Sequence, residues 1–124
     1  MIKLILLYAG AALTAIWGIA HLFPTKSVVK GFGKISADNK NIITMEWIVE
    51  GVSLIFIGTL VAVVTYMDYT SGTSRAVYWI SFIALNTLSV VSLFTGFRVK
   101  FIPFKLCPVI FTTAAILMLL GSIV

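Results

Sequence analysis

Four long apolar runs separated by short polar stretches dominate the chain. Leu4 to Ala20 carries no charge, and Ile2 and Leu22 extend that run on both sides. Ile42 to Tyr66 is interrupted only by Glu46 and Glu50, while Ala76 to Phe97 and Leu106 to Val124 are uncharged throughout. A helix that crosses a bilayer needs about 17–25 mostly apolar residues, and every run meets that length. Spanning β-strands would show alternating segments of about ten residues, which do not occur. The pattern predicts an all-α integral membrane bundle of four transmembrane helices over residues 2–22, 42–66, 76–97 and 106–124, making a single domain.

The breaks between runs carry ordinary helix punctuation. Pro24 follows the first run and stops it. Ser36 and Asp38 suit the start of the second helix, the first as a cap and the second as a charge near the positive end of the helix dipole. Met67 to Ser74 reads as a polar turn with Gly72 as its breaker. Pro103 and Pro108 bracket the start of the fourth helix, and either suits a first helical turn. There is no internal repeat or low-complexity segment.

Composition narrows the class. Of 124 residues, 60% are hydrophobic and 10% charged, against about 45–50% and about 25% in soluble domains. A soluble nucleic-acid-binding domain, a disulfide scaffold and a disordered tail are all excluded. Cys107 is the one cysteine and His21 the one histidine, too few for a disulfide or a zinc cluster, so neither metal nor cofactor is expected. The net charge of +5 reports topology rather than nucleic acid. Lys26, Lys30, Lys34, Lys40, Arg98, Lys100 and Lys105 fall in the first and third connections, leaving Lys3 and Arg75 on the other side. Basic residues mark cytoplasmic loops, so the expectation is a multi-pass cell-membrane protein with both termini extracytoplasmic. A cleaved signal peptide wants a basic start and a shorter core than this first run provides.

The first connection, Thr25 to Asn41, has two readings. Val28, Val29, Phe32 and Ile35 are helically spaced opposite a stripe of Lys26, Lys30 and Lys34, which suits an interfacial helix on an anionic leaflet. Gly31 and Gly33 equally suit a flexible loop, whether as an anchor or as a lid over a cytoplasm-facing pocket.

Candidate chemistry lies in the residues out of place in lipid. A charge at mid-bilayer costs about 2.5–3.5 kcal/mol, and intramembrane ionisable groups are functional candidates by default. His21 falls near the inner end of the first helix. Glu46 sits one turn into the second helix, and Glu50 roughly 12 Å beyond Ile42, too deep to snorkel comfortably. Asn86 is about 16 Å from the inner end of the third helix. These depths agree, so His21, Glu46, Glu50 and Asn86 are expected to line one cavity open to the cytoplasm. Glu46 and Glu50 share a helix face at i, i+4, and a neutral His21 can share a proton with either. Asn86 can position a ligand or a carboxyl group, and Trp47 and Trp79 offer aromatic faces to a cation or a flat apolar ring.

Each of these residues also has a plainer role. His21 suits a helix C-terminus, Glu46 a helix N-terminus or a pair with Lys40 or Arg98, and Asn86 an interhelical hydrogen bond. Tyr8, Trp17, Tyr66, Tyr69, Tyr78 and Trp79 read as interfacial belt residues. Gly10, Thr14 and Gly18 form a small-residue packing stripe on the first helix, and Gly51 and Gly58, on faces neighbouring the two glutamates, leave room for close helix approach. Cys107 reads as an inert interfacial thiol.

Two segments, Gly18-Ile19-Ala20-His21-Leu22 and Met45-Glu46-Trp47-Ile48-Val49-Glu50-Gly51, give the chain a layout that resembles small DoxX-like membrane proteins. That resemblance implies a compact four-helix bundle, in a family some of whose members are linked to quinone-coupled oxidation. A histidine, two glutamates and an asparagine among membrane helices are also similar in kind to the sterol-isomerase-type fold, which moves a proton in a lipidic pocket. Small multidrug transporters carry their membrane glutamate in the first span, which here has none.

Three functions are consistent with these residues. The first is binding of a small amphipathic or cationic ligand by His21, Glu46, Trp47, Glu50 and Asn86. The second is membrane-embedded acid–base catalysis on a lipid-soluble substrate, with Glu50, His21 and Glu46 as the catalytic candidates. The third is a structural subunit of a homo-oligomer or larger membrane complex. The bilayer is a partner in all three.

Overall fold

The computed structural model describes residues Met1–Val124 and is all-helical: α1 (Ile2–Leu22), α2 (Thr25–Gly31), α3 (Ala37–Asp68), α4 (Gly72–Phe94), a 3-10 turn (Gly96–Arg98) and α5 (Ile102–Ile123). Four helices, α1, α3, α4 and α5, are long and apolar enough to cross a membrane. The protein is therefore a multi-pass membrane protein. Ile2, Ile16, Phe56, Ile80, Ile83 and Val109 stand more than half exposed on the outer faces, as a lipid-facing surface requires.

The helix ends differ from the sequence expectation where polar residues cap them. α3 begins at Ala37, five residues before Ile42, because the Ser36 side chain accepts from the Asn39 amide and carries the helix through the polar Asp38–Asn41 stretch. The turn expected over Met67–Ser74 shrinks to Tyr69–Ser71. Ser71 caps α4 by accepting from the Ser74 amide, so Gly72 is the first helical residue and not the breaker. Pro103 occupies the first turn of α5, whereas Pro108 lies inside the helix. A proline there removes a backbone donor, and a cross-helix link supports the region: Ser89 Oγ donates to the Pro108 carbonyl at 3.0 Å and meets Thr112 Oγ1 at 2.7 Å. In the first connection a helix forms over Thr25–Gly31 and buries Val29, and the chain then reverses at Gly33 with φ +73. Phe32 and Ile35 fall outside that helix.

α1 packs chiefly on α3 and on α5, and α4 on α5, while α3 and α4 touch more lightly. Small residues make the α1–α3 contact close. A Cβ at Gly18 would lie 2.7 Å from the Gly51 carbonyl oxygen, and one at Gly58 would lie 2.5 Å from that of Ala11. Gly10 faces the other way, toward Ala114 and Met118 of α5. The small-residue stripe of α1 is thus consumed inside the bundle. At the end away from His21, Thr65 Oγ1 and Tyr78 Oη meet at 2.9 Å, and Ser74 Oγ donates to the Asp68 carbonyl at 2.6 Å. Tyr78 is fully buried, so it is a core residue and not part of an interfacial belt.

Candidate functional site

The close α1–α3 contact sets the site. Gly51 packs on Gly18 and Leu22, so the last turn of α1 lies directly against the turn of α3 that carries Glu50. His21 Nε2 is 3.4 Å from Glu50 Oε2. That is within ion-pair reach but lacks hydrogen-bond geometry, and Nε2 is buried with no other partner. The two groups differ in access: the His21 side chain is 6% exposed and that of Glu50 38%. Imidazolium with carboxylate and imidazole with carboxylic acid differ by the transfer of one proton across this gap. Glu50 is the side of the pair through which that proton reaches the outside.

Trp47 fixes the histidine. Its ring stacks on the imidazole with centroids 3.9 Å apart and planes 17° from parallel. Its Nε1 also donates to the His21 backbone carbonyl at 2.8 Å. That carbonyl is in the last turn of α1, where helix geometry leaves carbonyls without an intrahelical donor. One side chain thus caps α1 and orients the imidazole. Phe104 meets the same indole edge-on at 5.4 Å.

Two cavities flank this pair. The first, of about 170 Å³, has a mainly apolar wall that includes Trp17, His21, Trp47, Phe101, Phe104 and Cys107. The second, of about 150 Å³, is lined by His21 and Glu50 together with Ser92, Thr95, Gly96 and Cys107, among others. His21, Phe104 and Cys107 belong to both walls. A cavity of about 150 Å³ with apolar walls holds a benzene-sized molecule. The arrangement can therefore hold a small ring against an imidazole that has a carboxyl group 3.4 Å away. The Trp17 indole N–H is likewise buried without a hydrogen-bond acceptor, near the weakly accepting Cys107 sulfur.

No family model, curated protein or solved structure matches this chain. Its functional reading rests on its own geometry.

Of the five residues expected to share a site, the structure brings together His21, Trp47 and Glu50. Glu46 is exposed, lines neither cavity and forms no ion pair with Lys40 or Arg98. Although it shares a helix face with Glu50, α3 at that level projects past the end of α1, which stops at Leu22. Asn86 lines neither cavity. Its Nδ2 donates to the Phe82 carbonyl of its own helix at 2.9 Å, roughly 8 Å along α4 from the first cavity-lining residue, Val91. The expected four-residue cavity is thus a His21–Glu50 pair, with Glu46 and Asn86 outside it. Trp79 stands about 20 Å along α4 from Ser92, packed edge-on against Phe82.

Trp17, Cys107 and Phe104 are among the wall residues that escape the sequence reading. Trp17 carries a usable signal, since it precedes His21 by four residues and so shares its helix face. Cys107 is buried rather than interfacial, and its thiol donates to the Pro103 carbonyl at 3.5 Å. Phe104 carries no sequence signal, being one aromatic among nine phenylalanines.

Proposed function

We propose that this is a cell-membrane protein, inserted with the His21 end of the bundle toward the cytoplasm and both termini outside, that binds a small amphipathic ligand beside the His21–Glu50 pair. One observation carries the reading: a sealed imidazole 3.4 Å from a carboxyl group, placed between two cavities. Burying an ionisable pair in hydrocarbon is unfavourable unless something uses or satisfies it, and here the satisfaction is incomplete, since His21 Nε2 lacks a hydrogen bond. The orientation follows from the seven basic residues clustered at that end. The DoxX-like layout of Gly18–Leu22 and Met45–Gly51 belongs to this reading as a proposed kinship.

Ligand chemistry follows from the walls. The Trp47 face that would meet a cation is occupied by His21, so a cationic group is left with Glu50 in the second cavity, while the first takes an apolar ring. Benzylamine and benzyl alcohol test this in detergent by thermal shift and by indole NMR. Both are expected to stabilise the wild type, and Glu50→Gln is expected to remove the advantage of the amine. Ala20→Leu narrows the first cavity, whose wall includes Ala20. If neither compound binds, or if both bind Ala20→Leu unchanged, the reading fails.

The unpartnered His21 Nε2 favours a second reading, acid–base catalysis on a lipid-soluble substrate. Glu50 would then exchange a proton with the outside, and His21, which lines both cavities, would pass it to a substrate in the first. Such an enzyme would exchange the hydrogens next to the carbonyl of a lipid-soluble ketone with deuterated water. Glu50→Gln would stop that exchange and leave the fold intact.

A further inference from the structure

Beyond the His21 site, a groove of about 540 Å³ lies between α2 and the segment joining α4 to α5. Its walls are Val28, Gly31 and Phe32 on one side and Val99, Phe101 and Phe104 on the other, with Ser27 at the rim. Phe32 is 54% exposed and Phe101 49%, so the groove is an open apolar surface of ligand-site size. The two segments that form it carry charge of a single sign. Residues 25–37 contain Lys26, Lys30 and Lys34, residues 95–105 contain Arg98, Lys100 and Lys105, and neither segment contains a carboxylate. The Lys105 amine lies over the Phe97 ring at 5.7 Å. α2 buries Val29 against the bundle and leaves Lys26 and Lys30 exposed, at the end of four spans where lipid headgroups lie.

We propose that this groove binds one anionic phospholipid, with an acyl chain between α2 and the α4–α5 connection and its phosphate held by Lys30 and Lys100, the basic neighbours of the wall residues Gly31, Val99 and Phe101. The apolar floor selects a chain and the basic flanking segments select an anion. An acidic peptide would satisfy those segments alone, and the groove's place beside the spans favours the lipid. The proposal does not rest on the proposed ligand of the His21 cavities, although Phe101 and Phe104 wall both the groove and the first of them.

Gly31 supplies a selective test. A Cβ at this position meets nothing within 4 Å, so Gly31→Phe fills the groove without a clash, and Gly31→Ala is the control for folding. The full chain in detergent is titrated with dioleoylphosphatidylglycerol, dioleoylphosphatidylcholine or inorganic phosphate and read by native mass spectrometry. One phosphatidylglycerol is expected to remain bound to the wild type and to Gly31→Ala, in preference to phosphatidylcholine, while phosphate neither binds nor competes. Gly31→Phe is expected to abolish retention. Lys30→Gln with Lys100→Gln is expected to weaken it about 25-fold, at about fivefold per lysine near the surface. Retention by Gly31→Phe would reduce the effect to surface charge and overturn the site. Equal retention of phosphatidylcholine would overturn the lipid class, and a dimer that excludes lipid would make a second copy the occupant.

Discussion

Gly18 and Gly51 face each other so closely that a methyl group on either would press on the other's backbone: 2.7 Å from the Gly51 oxygen in one direction, 3.0 Å from the Gly18 oxygen in the other. One turn further along α1, this contact delivers His21 to Glu50. Gly18→Ala is therefore expected to destabilise the bundle by about 1–3 kcal/mol through overpacking, because the obstructing atoms are backbone and cannot rotate away. Gly31→Ala, in an open helical position, is expected to be neutral or stabilising by up to about 1 kcal/mol. Thermal unfolding of the two variants in the same detergent checks the contrast, and equal melting temperatures would show that the glycine contact does not hold the helices.

Trp47 is expected to matter in two separable ways. Trp47→Phe keeps an aromatic ring against His21 but deletes the 2.8 Å bond to its carbonyl, at a cost of about 1 kcal/mol. Trp47→Leu removes both and frees the imidazole to turn. The histidine side-chain NMR signals report this directly: they should stay sharp in the phenylalanine variant and broaden or shift in the leucine one. A leucine variant with unchanged histidine signals would show that Trp47 does not orient the ring.

The four helices are legible in the sequence because bilayer thickness demands an apolar run of fixed length, a strong constraint on residue choice. His21 and Glu50 are legible for the same reason, as polar groups where hydrocarbon is expected. The partnership is less so. Glu46 and Glu50 satisfy the same i, i+4 rule, and only the point at which α1 ends decides that one is paired and the other exposed. Asn86 reads as a site residue by depth alone, yet an asparagine in a helix can turn its amide back to its own backbone, as this one does. Phe104 and Cys107 could not be singled out, since apolar residues are the rule throughout α5 and their role depends on which helices meet there.

His21 and Glu50 are expected to be energetically coupled. Removing one partner of a fully buried pair costs about 3–5 kcal/mol. Glu50 is 38% exposed, so solvent screening reduces the expected coupling to about 1–2 kcal/mol. A double-mutant cycle with His21→Ala and Glu50→Ala, read by unfolding, measures it. Additive single effects would mean that the 3.4 Å approach is geometry without interaction.

Topology calls for a reporter other than the native thiol, because Cys107 is buried and would label slowly from either side. Lys34 lies in the exposed first connection. Lys34→Cys in a Cys107→Ser background is expected to be protected from an impermeant maleimide in intact cells and to react once the membrane is opened. Tyr66→Cys, near the opposite end of α3 and 85% exposed, provides the reciprocal reading. Labelling of position 34 from outside would invert the proposed orientation and turn the His21 end away from the cytoplasm.

Phe104 is the one side chain common to the two His21 cavities and the groove beside α2. Phe104→Ala is expected to join the three spaces into a single channel from the α2 groove to Glu50. The stability cost should fall near or below about 3 kcal/mol, the lower end for a buried phenylalanine, because this ring is only half-buried. The joined space should admit molecules larger than one ring: naphthalene methanol is expected to stabilise Phe104→Ala and not the wild type, whereas benzyl alcohol should bind the variant more weakly for want of a wall. Phe104→Leu, which keeps most of the apolar bulk, should restore the preference for the smaller compound. If naphthalene methanol discriminates between neither variant nor wild type, Phe104 is packing rather than a partition, and the cavities are reached by another path.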